Sequence, residues 1–165
     1  MSTEPRRAQR MSARGLELKV PPVALVVITG ALMWLGAWSV PRLSFAMPGR
    51  HVIAGGLALS GAFVSALGVV CFRRARTTVN PMEPEAASSL VVAGIYGVTR
   101  NPMYLGFALA LLGWATWLAS ALAFLALPLF VAYLNAFQIE PEERALAELF
   151  GERFASYRSR VRRWI

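Results

Sequence analysis

The sequence predicts an all-α integral membrane protein with four transmembrane helices, the last two forming a helical hairpin, followed by C-terminal cytoplasmic amphipathic helices. Three observations predict it. The 165 residues are 56% hydrophobic with a mean hydropathy of +0.50, above the roughly 45–50% apolar content of ordinary soluble domains. The apolar residues gather into long uncharged runs, as membrane insertion requires. The basic residues lie almost entirely at alternate ends of those runs.

The first element is a basic segment, 1–19, carrying Arg6, Arg7, Arg10, Arg14 and Lys19. The apolar run behind it is longer than the roughly 7–15 residues of a signal-peptide core and is followed by no A-x-A site, so it reads as a retained helix. Span one covers 20–40, with Trp34 and Trp38 near its far end, where indoles favour the interface. Span two covers 51–72 and is rich in small residues (Gly55, Gly56, Ser60, Gly61, Ala62, Ser65, Ala66, Gly68) that let helix backbones approach closely. Arg73, Arg74 and Arg76 stop it. The uncharged run 101–139 suffices for two short helices joined by a turn near Trp117 to Ser120, with Pro128 expected to kink the second.

Charge sets the topology. All basic residues except Arg42 and Arg50, and every glutamate, fall on one side of these spans. The positive-inside rule makes that side cytoplasmic, with both termini on it. The +8 net charge then suits an anionic membrane surface and not nucleic acid. No ionisable residue lies at the centre of a span, which weighs against an exporter or proton relay.

Several chemistries are excluded by composition. A single cysteine, Cys71, rules out an internal disulfide framework. One histidine (His51) and no aspartate leave few routes to a hydrolase, and there is no zinc spacing or phosphate loop. The stretch 77–89, rich in Pro, Glu and Ser, reads as a cytoplasmic loop.

Two polar motifs flank the hairpin. In Gly94-Ile95-Tyr96-Gly97 the glycines permit a tight turn with exposed backbone. In Arg100-Asn101-Pro102-Met103-Tyr104, Asn101 can cap a helix that Pro102 begins, and Arg100 and Tyr104 suit the interface. Beyond the hairpin, Pro141-Glu142-Glu143 has ordinary helix-start chemistry, with acids in the first turn. Leu146, Leu149 and Phe150 form an apolar stripe, and Gly151 can end that helix. A second short helix is expected to place Phe154, Tyr157 and Val161 on one face. The C-terminal helices together span 141–163. Each motif alone is accounted for as a helix start or a membrane-lying tail.

Their joint order points further. The series Arg76-Thr77-Thr78-Val79-Asn80-Pro81, Gly94-x-Tyr96, Thr99-Arg100-Asn101-Pro102-Met103-Tyr104-x-Gly106, then Glu142-Glu143-x-x-Leu146, Phe150-Gly151, Tyr157 and Val161-x-Arg163-Trp164 resembles the isoprenylcysteine carboxyl methyltransferase and phospholipid methyltransferase superfamily of integral membrane enzymes. The resemblance covers 73–165, as a methyltransferase core behind the first two spans. It implies S-adenosylmethionine as cofactor and a lipophilic acceptor reached from the membrane lipids, at a cytoplasmic site in a bacterial inner membrane. It also implies a cofactor pocket built from Ser88, Ser89, Leu90, Val91, Gly94, Tyr96, Asn101, Pro102, Met103, Tyr104 and Glu142.

The residue chemistry agrees: Glu142 can accept from an ammonium or ribose hydroxyls, Asn101 can donate and accept, and Tyr96 and Tyr104 can face adenine or a sulfonium. Glu143, able to assist an amine acceptor, and Arg100 are the candidate catalytic residues. Gln138 stands where carboxyl-methylating members carry a substrate-holding arginine, and Asn101 where they carry histidine. The acceptor therefore stays open among an isoprenoid or cysteine carboxylate, a phospholipid amine and a thiol. A nicotinamide-dependent membrane reductase and a non-catalytic small membrane protein are the alternatives.

Overall fold

The computed structural model describes residues 17–77, 82, 84 and 87–165. Residues 1–16, most of the basic N-terminal segment, lie outside the described residues, as do Thr78, Val79, Asn80 and Pro81 of the loop motif. Among the described residues six α-helices follow in order: α1 (Pro22–Ser39), α2 (Arg50–Arg74), α3 (Pro102–Leu118), α4 (Ala121–Leu134), α5 (Glu140–Phe150) and α6 (Glu152–Arg160). There is no strand among the described residues; Ser44 with Ser120 and Thr99 with Arg162 form isolated bridges. The all-α class is as expected.

Among the described residues three helices are long and apolar enough to cross a membrane: α1, α2 and the 30-residue helix Ala121–Phe150; α3, at 17 residues, is a shorter apolar helix. Their outward faces carry Val27, Leu32, Val52, Leu59, Phe63, Leu125 and Leu129, all exposed. A belt of that kind needs a non-aqueous neighbour.

Helices α2 and α3 run antiparallel in very close contact. A Cβ on Gly61 would lie 2.4 Å from the Gly106 carbonyl oxygen, one on Gly113 2.8 Å from that of Ala54, and one on Gly68 2.9 Å from Met103. Ser65 Oγ donates to the Met103 carbonyl at 3.3 Å across the same seam. In lipid there is no hydrophobic drive between helices, so such close approach carries the association. Only part of the small-residue set serves it: Gly55 and Gly56 have nothing within 4 Å. Helix α1 closes the other side, with Trp114 Nε1 donating to the Gly30 carbonyl at 3.0 Å. Met33, Leu111, Ala115, Ala123, Phe130 and Leu134 pack the shared core.

The hairpin turn falls at Ala119, in the left-handed region (φ +48°), and Ser120, where the sequence places it. Pro128 sits inside α4, which continues through it. The far end of α4 differs from expectation. Pro141 does not start a new helix; α4 passes through a π-helical segment, Asn135–Ile139, straight into α5. Proline has no N–H, so the carbonyl four residues back loses its helical donor. That carbonyl belongs to Phe137, and the Leu18 backbone N–H supplies the missing bond at 3.0 Å. The segment before α1 thus seals the wide turn, helped by Gln138 Nε2 donating to the Val20 carbonyl at 2.8 Å and an ion pair between Arg144 and Glu17.

Candidate active site

One end of the bundle holds a cavity of about 840 Å³, counted out to its open mouth. The hairpin length explains its position. Helix α3 leaves from this end and α4 returns to it, so the two polar motifs meet. Tyr96, Arg100, Asn101, Met103 and Tyr104 line the cavity from one motif and Glu142 and Glu143 from the other, with Ser89, Leu90 and Val91 on the loop that leads from α2 into the first motif.

Each side chain is held by identifiable local structure. Gly94, at φ +64°, opens the 3₁₀ turn Gly94–Gly97, and a Cβ there would lie 2.9 Å from Cys71 Sγ. Both facts favour glycine at this position. The turn buries Tyr96, whose ring meets Phe72 edge-on at 5.3 Å between centroids. Tyr157 Oη donates to the Tyr96 carbonyl at 2.7 Å and so ties α6 to the turn. Burial pushes the Tyr96 hydroxyl up, and the Tyr157 hydroxyl up to about 12, so both are neutral packing and donor groups at ordinary pH. Tyr104 Oη donates to Glu142 Oε1 in a short bond that joins α3 to α5. Burial pushes Glu142 up to about 8, against the lowering effect of that bond, and the nearby Glu143 charge adds to the rise.

Glu143 is in a different position although it is the neighbouring residue. Arg100 reaches one of its oxygens at 2.8 Å and Arg163 the other at 2.7 Å. Burial would raise it, but the Arg163 hydrogen bond and the Arg100 charge hold it below the usual carboxylate range. The same arginines fasten the chain end. The Arg100 guanidinium donates to the Val161 and Arg158 carbonyls at 2.8 and 3.0 Å, and its backbone N–H to the Arg162 carbonyl at 3.0 Å. Thr99 Oγ1 and Asn101 Nδ2 both donate to the Arg163 carbonyl, at 3.2 and 3.0 Å. Trp164 Nε1 closes the strap on Asn135 Oδ1 at 3.1 Å. The Thr99-Arg100-Asn101 motif therefore serves as a socket for residues 158–164. Asn101 still lines the cavity, but its amide N–H is directed at the tail; as a cap for α3 its side chain makes no bond.

Four residues singled out by sequence do not line the cavity, the turn-forming Gly94 among them. Gln138 is fully buried, with its Nε2 donating to the Val20 carbonyl and its Oε1 without a partner among the described residues. Pro102 is buried against α2. Ser88 is an exposed loop residue whose Oγ donates to the Arg76 carbonyl at 3.5 Å. Conversely Phe72, Leu146, Phe154 and Tyr157 line the cavity without having been assigned to it from sequence. The apolar stripe on α5 and the aromatic face of α6 were the available signals; they read as membrane-facing, whereas Leu146, Phe154 and Tyr157 turn inward to form a wall.

With this geometry in hand, the profile of the phospholipid methyltransferase family matches residues 49–153. The chain belongs to this family. A Haemophilus influenzae protein described as an uncharacterized protein is 43% identical over 63 residues, which are 38% of this chain and the whole of that protein. No solved structure matches. Family and apolar helices together make this a membrane protein of methyltransferase lineage.

Proposed function

We propose that the protein is an S-adenosylmethionine-dependent methyltransferase, held by four membrane helices with the cavity on the cytoplasmic side of a bacterial inner membrane, and that it acts on a lipophilic acceptor. The observation that carries this reading is the convergence, at one end of the hairpin, of an acidic side chain, two tyrosines and an apolar wall around one cavity. The four-span arrangement follows if α3 crosses with its partners: it is sealed along α2, and 17 residues cover about 25 Å at the helical rise.

The residues fit the cofactor. Glu142 is a carboxylate suited to an ammonium or a ribose diol, Tyr96 and Tyr104 supply aromatic faces, and Leu90, Val91 and Met103 supply an apolar surround. The buried Arg100 Nε has no partner among the described residues and offers a donor for a carboxylate. The chemistry supplied by bound S-adenosylmethionine is an electrophilic methyl group on a sulfonium. The protein's part is positioning: holding two reactants in near-attack geometry can contribute about 7–11 kcal/mol. Met103, Phe154 and Leu146 exclude water. Glu142, released from Tyr104 as a carboxylate, holds the cationic donor. Arg100 and Glu143 act as positioning residues through the strap they anchor, since both carboxylate oxygens of Glu143 already accept from arginines.

Purified full-length protein in detergent should bind S-adenosylhomocysteine, and Glu142→Ala should weaken that binding by about tenfold or more, the loss of one charge-assisted contact. Wild-type protein that binds neither S-adenosylhomocysteine nor S-adenosylmethionine would sink the reading.

A further inference from the structure

A second, open cleft lies beside the cavity and shares Leu90 and Tyr157 with it. Its other wall is one face of α6, where Arg153, Ser156 and Arg160 are all exposed. No ion pair among the described residues involves Arg153 or Arg160. This sets them apart from Arg100, Arg144 and Arg163, each of which meets a glutamate. Arg160 is also oriented: its Nε donates to the Ser156 carbonyl at 3.2 Å, leaving its two terminal nitrogens without a described partner. Glu152 lines the same cleft, so two guanidinium groups face a single carboxylate there.

We infer that this cleft is a binding site for a phosphate group, held between Arg153 and Arg160 with the Ser156 hydroxyl between them. The two arginines stand about two helical turns apart, roughly 10 Å along the axis. Their long side chains can close on one tetrahedral anion from opposite sides. Guanidinium forks match phosphate oxygens in pairs, and they are more weakly hydrated than ammonium groups, so the exchange of water for phosphate is favourable. The cleft floor is apolar, formed by Leu90 and the exposed Val92. A phosphate bearing a hydrocarbon substituent would cover that floor, whereas free phosphate would leave it wet. The shared chemistry is the phosphate; a lipid headgroup and inorganic phosphate are its two sources. The inference does not depend on the methyltransferase reading. It does mean that whatever the cleft holds lies against Tyr157, a wall of the cavity.

The test is native mass spectrometry of full-length protein in neutral detergent, titrated separately with dihexanoylphosphatidylglycerol and with inorganic phosphate. The Arg153→Gln/Arg160→Gln pair is compared with Arg73→Gln/Arg74→Gln, which removes the same charge from the exposed end of α2. At least one probe should bind wild type, and its affinity should fall by about tenfold or more in the first pair and less than about twofold in the second. Binding of the lipid alone identifies a headgroup that needs the apolar floor; equal sensitivity of inorganic phosphate identifies a free-anion site. Equal losses in both pairs mean diffuse charge attraction and overturn the site, as does binding of either probe that ignores Arg153 and Arg160. S-adenosylhomocysteine binding, measured alongside, reports on the cavity separately, so the two readings can fail independently.

Discussion

The seam between α2 and α3 and the strap that closes the C-terminus hold the molecule by opposite means. The seam works by absence: Gly61, Gly68, Gly106 and Gly113 leave no side chain where backbones meet. The strap works by charge, with Glu143 gripped by Arg100 and Arg163 and the tail's carbonyls capped by Thr99, Arg100 and Asn101. Each suits its surroundings. Inside lipid, where burying apolar surface gains nothing between helices, dispersion at close range is what remains. At the membrane surface, charge-assisted hydrogen bonds can be made and broken in contact with water. The site sits where the two meet, with Met103 and Tyr104 at the end of the seam and Glu142 and Glu143 at the base of the strap.

The largest effect is expected at the seam. A Cβ on Gly106 would stand 2.0 Å from Ser65 Oγ and 2.4 Å from the Gly61 carbonyl oxygen, with the Ser65 backbone nitrogen at 3.0 Å. Two of those three atoms are backbone and cannot turn away. Gly106→Leu should therefore cost about 3 kcal/mol or more, at or beyond the upper end of ordinary overpacking, and the protein should lose its monodisperse peak in detergent. Gly55→Ala, on the small-residue helix α2 across that seam but with nothing within 4 Å, should stay within about 0.5 kcal/mol by thermal unfolding. Similar losses at both positions would mean that the seam is not the close contact described.

The strap should respond less. Glu143→Ala leaves Arg100, whose side chain is 11% exposed, without its carboxylate. Breaking a buried pair costs about 3–5 kcal/mol, and the low end applies because the Arg163 side chain is 31% exposed and can turn to water. The specific signature is release of the chain end: limited proteolysis should cut after Arg160 or Arg162 in the variant and not in wild type. A variant that melts early with its tail still protected would detach Glu143 from the strap.

Much of the seam was legible in the sequence and little of the strap was. Small residues spaced along an apolar run announce a close helix contact, and the charged clusters mark where each span ends. What the spacing did not tell was which small residues face α3, because α2 is apolar all round and lacks a polar face to orient it. The hairpin turn at Ala119 was readable from run length. The π segment was not: Pro141 after a charged residue looks like a helix start, and only the Leu18 N–H on the Phe137 carbonyl reveals a helix running through it. The strap was hidden because its partners are backbone carbonyls, which carry no sequence signal. Arg100 and Asn101 were legible as polar residues needing partners, but not as residues whose partners lie about sixty positions ahead. The cavity fared better, since ten of the residues lining it, among them Tyr96, Tyr104 and Glu142, are candidates read from the sequence.

The smallest effect, and the one that sharpens the comparison most, is its dependence on pH. The glycine contacts of the seam, at Gly61, Gly68, Gly106 and Gly113, meet no titratable side chain, so their contribution should not change across the ordinary range. Glu142, at the junction, is pushed up to about 8 by burial, and two consequences run in opposite directions. A carboxyl whose folded value is raised contributes stability that is fully present below its ordinary value and is lost as pH rises through about 8. The carboxylate, however, is the form that accepts from an ammonium or a ribose hydroxyl. Affinity for S-adenosylhomocysteine should therefore climb as pH approaches 8 and level off above it, by at most about tenfold per unit. Ligand-free thermal stability should decline over the same interval. Glu142→Gln removes the titration without removing the hydrogen-bonding shape, so both slopes should flatten together. If affinity and stability are instead both flat over this interval in wild type, Glu142 is already ionised in the free protein, and its bond from Tyr104 holds a carboxylate in place and not a protonated acid.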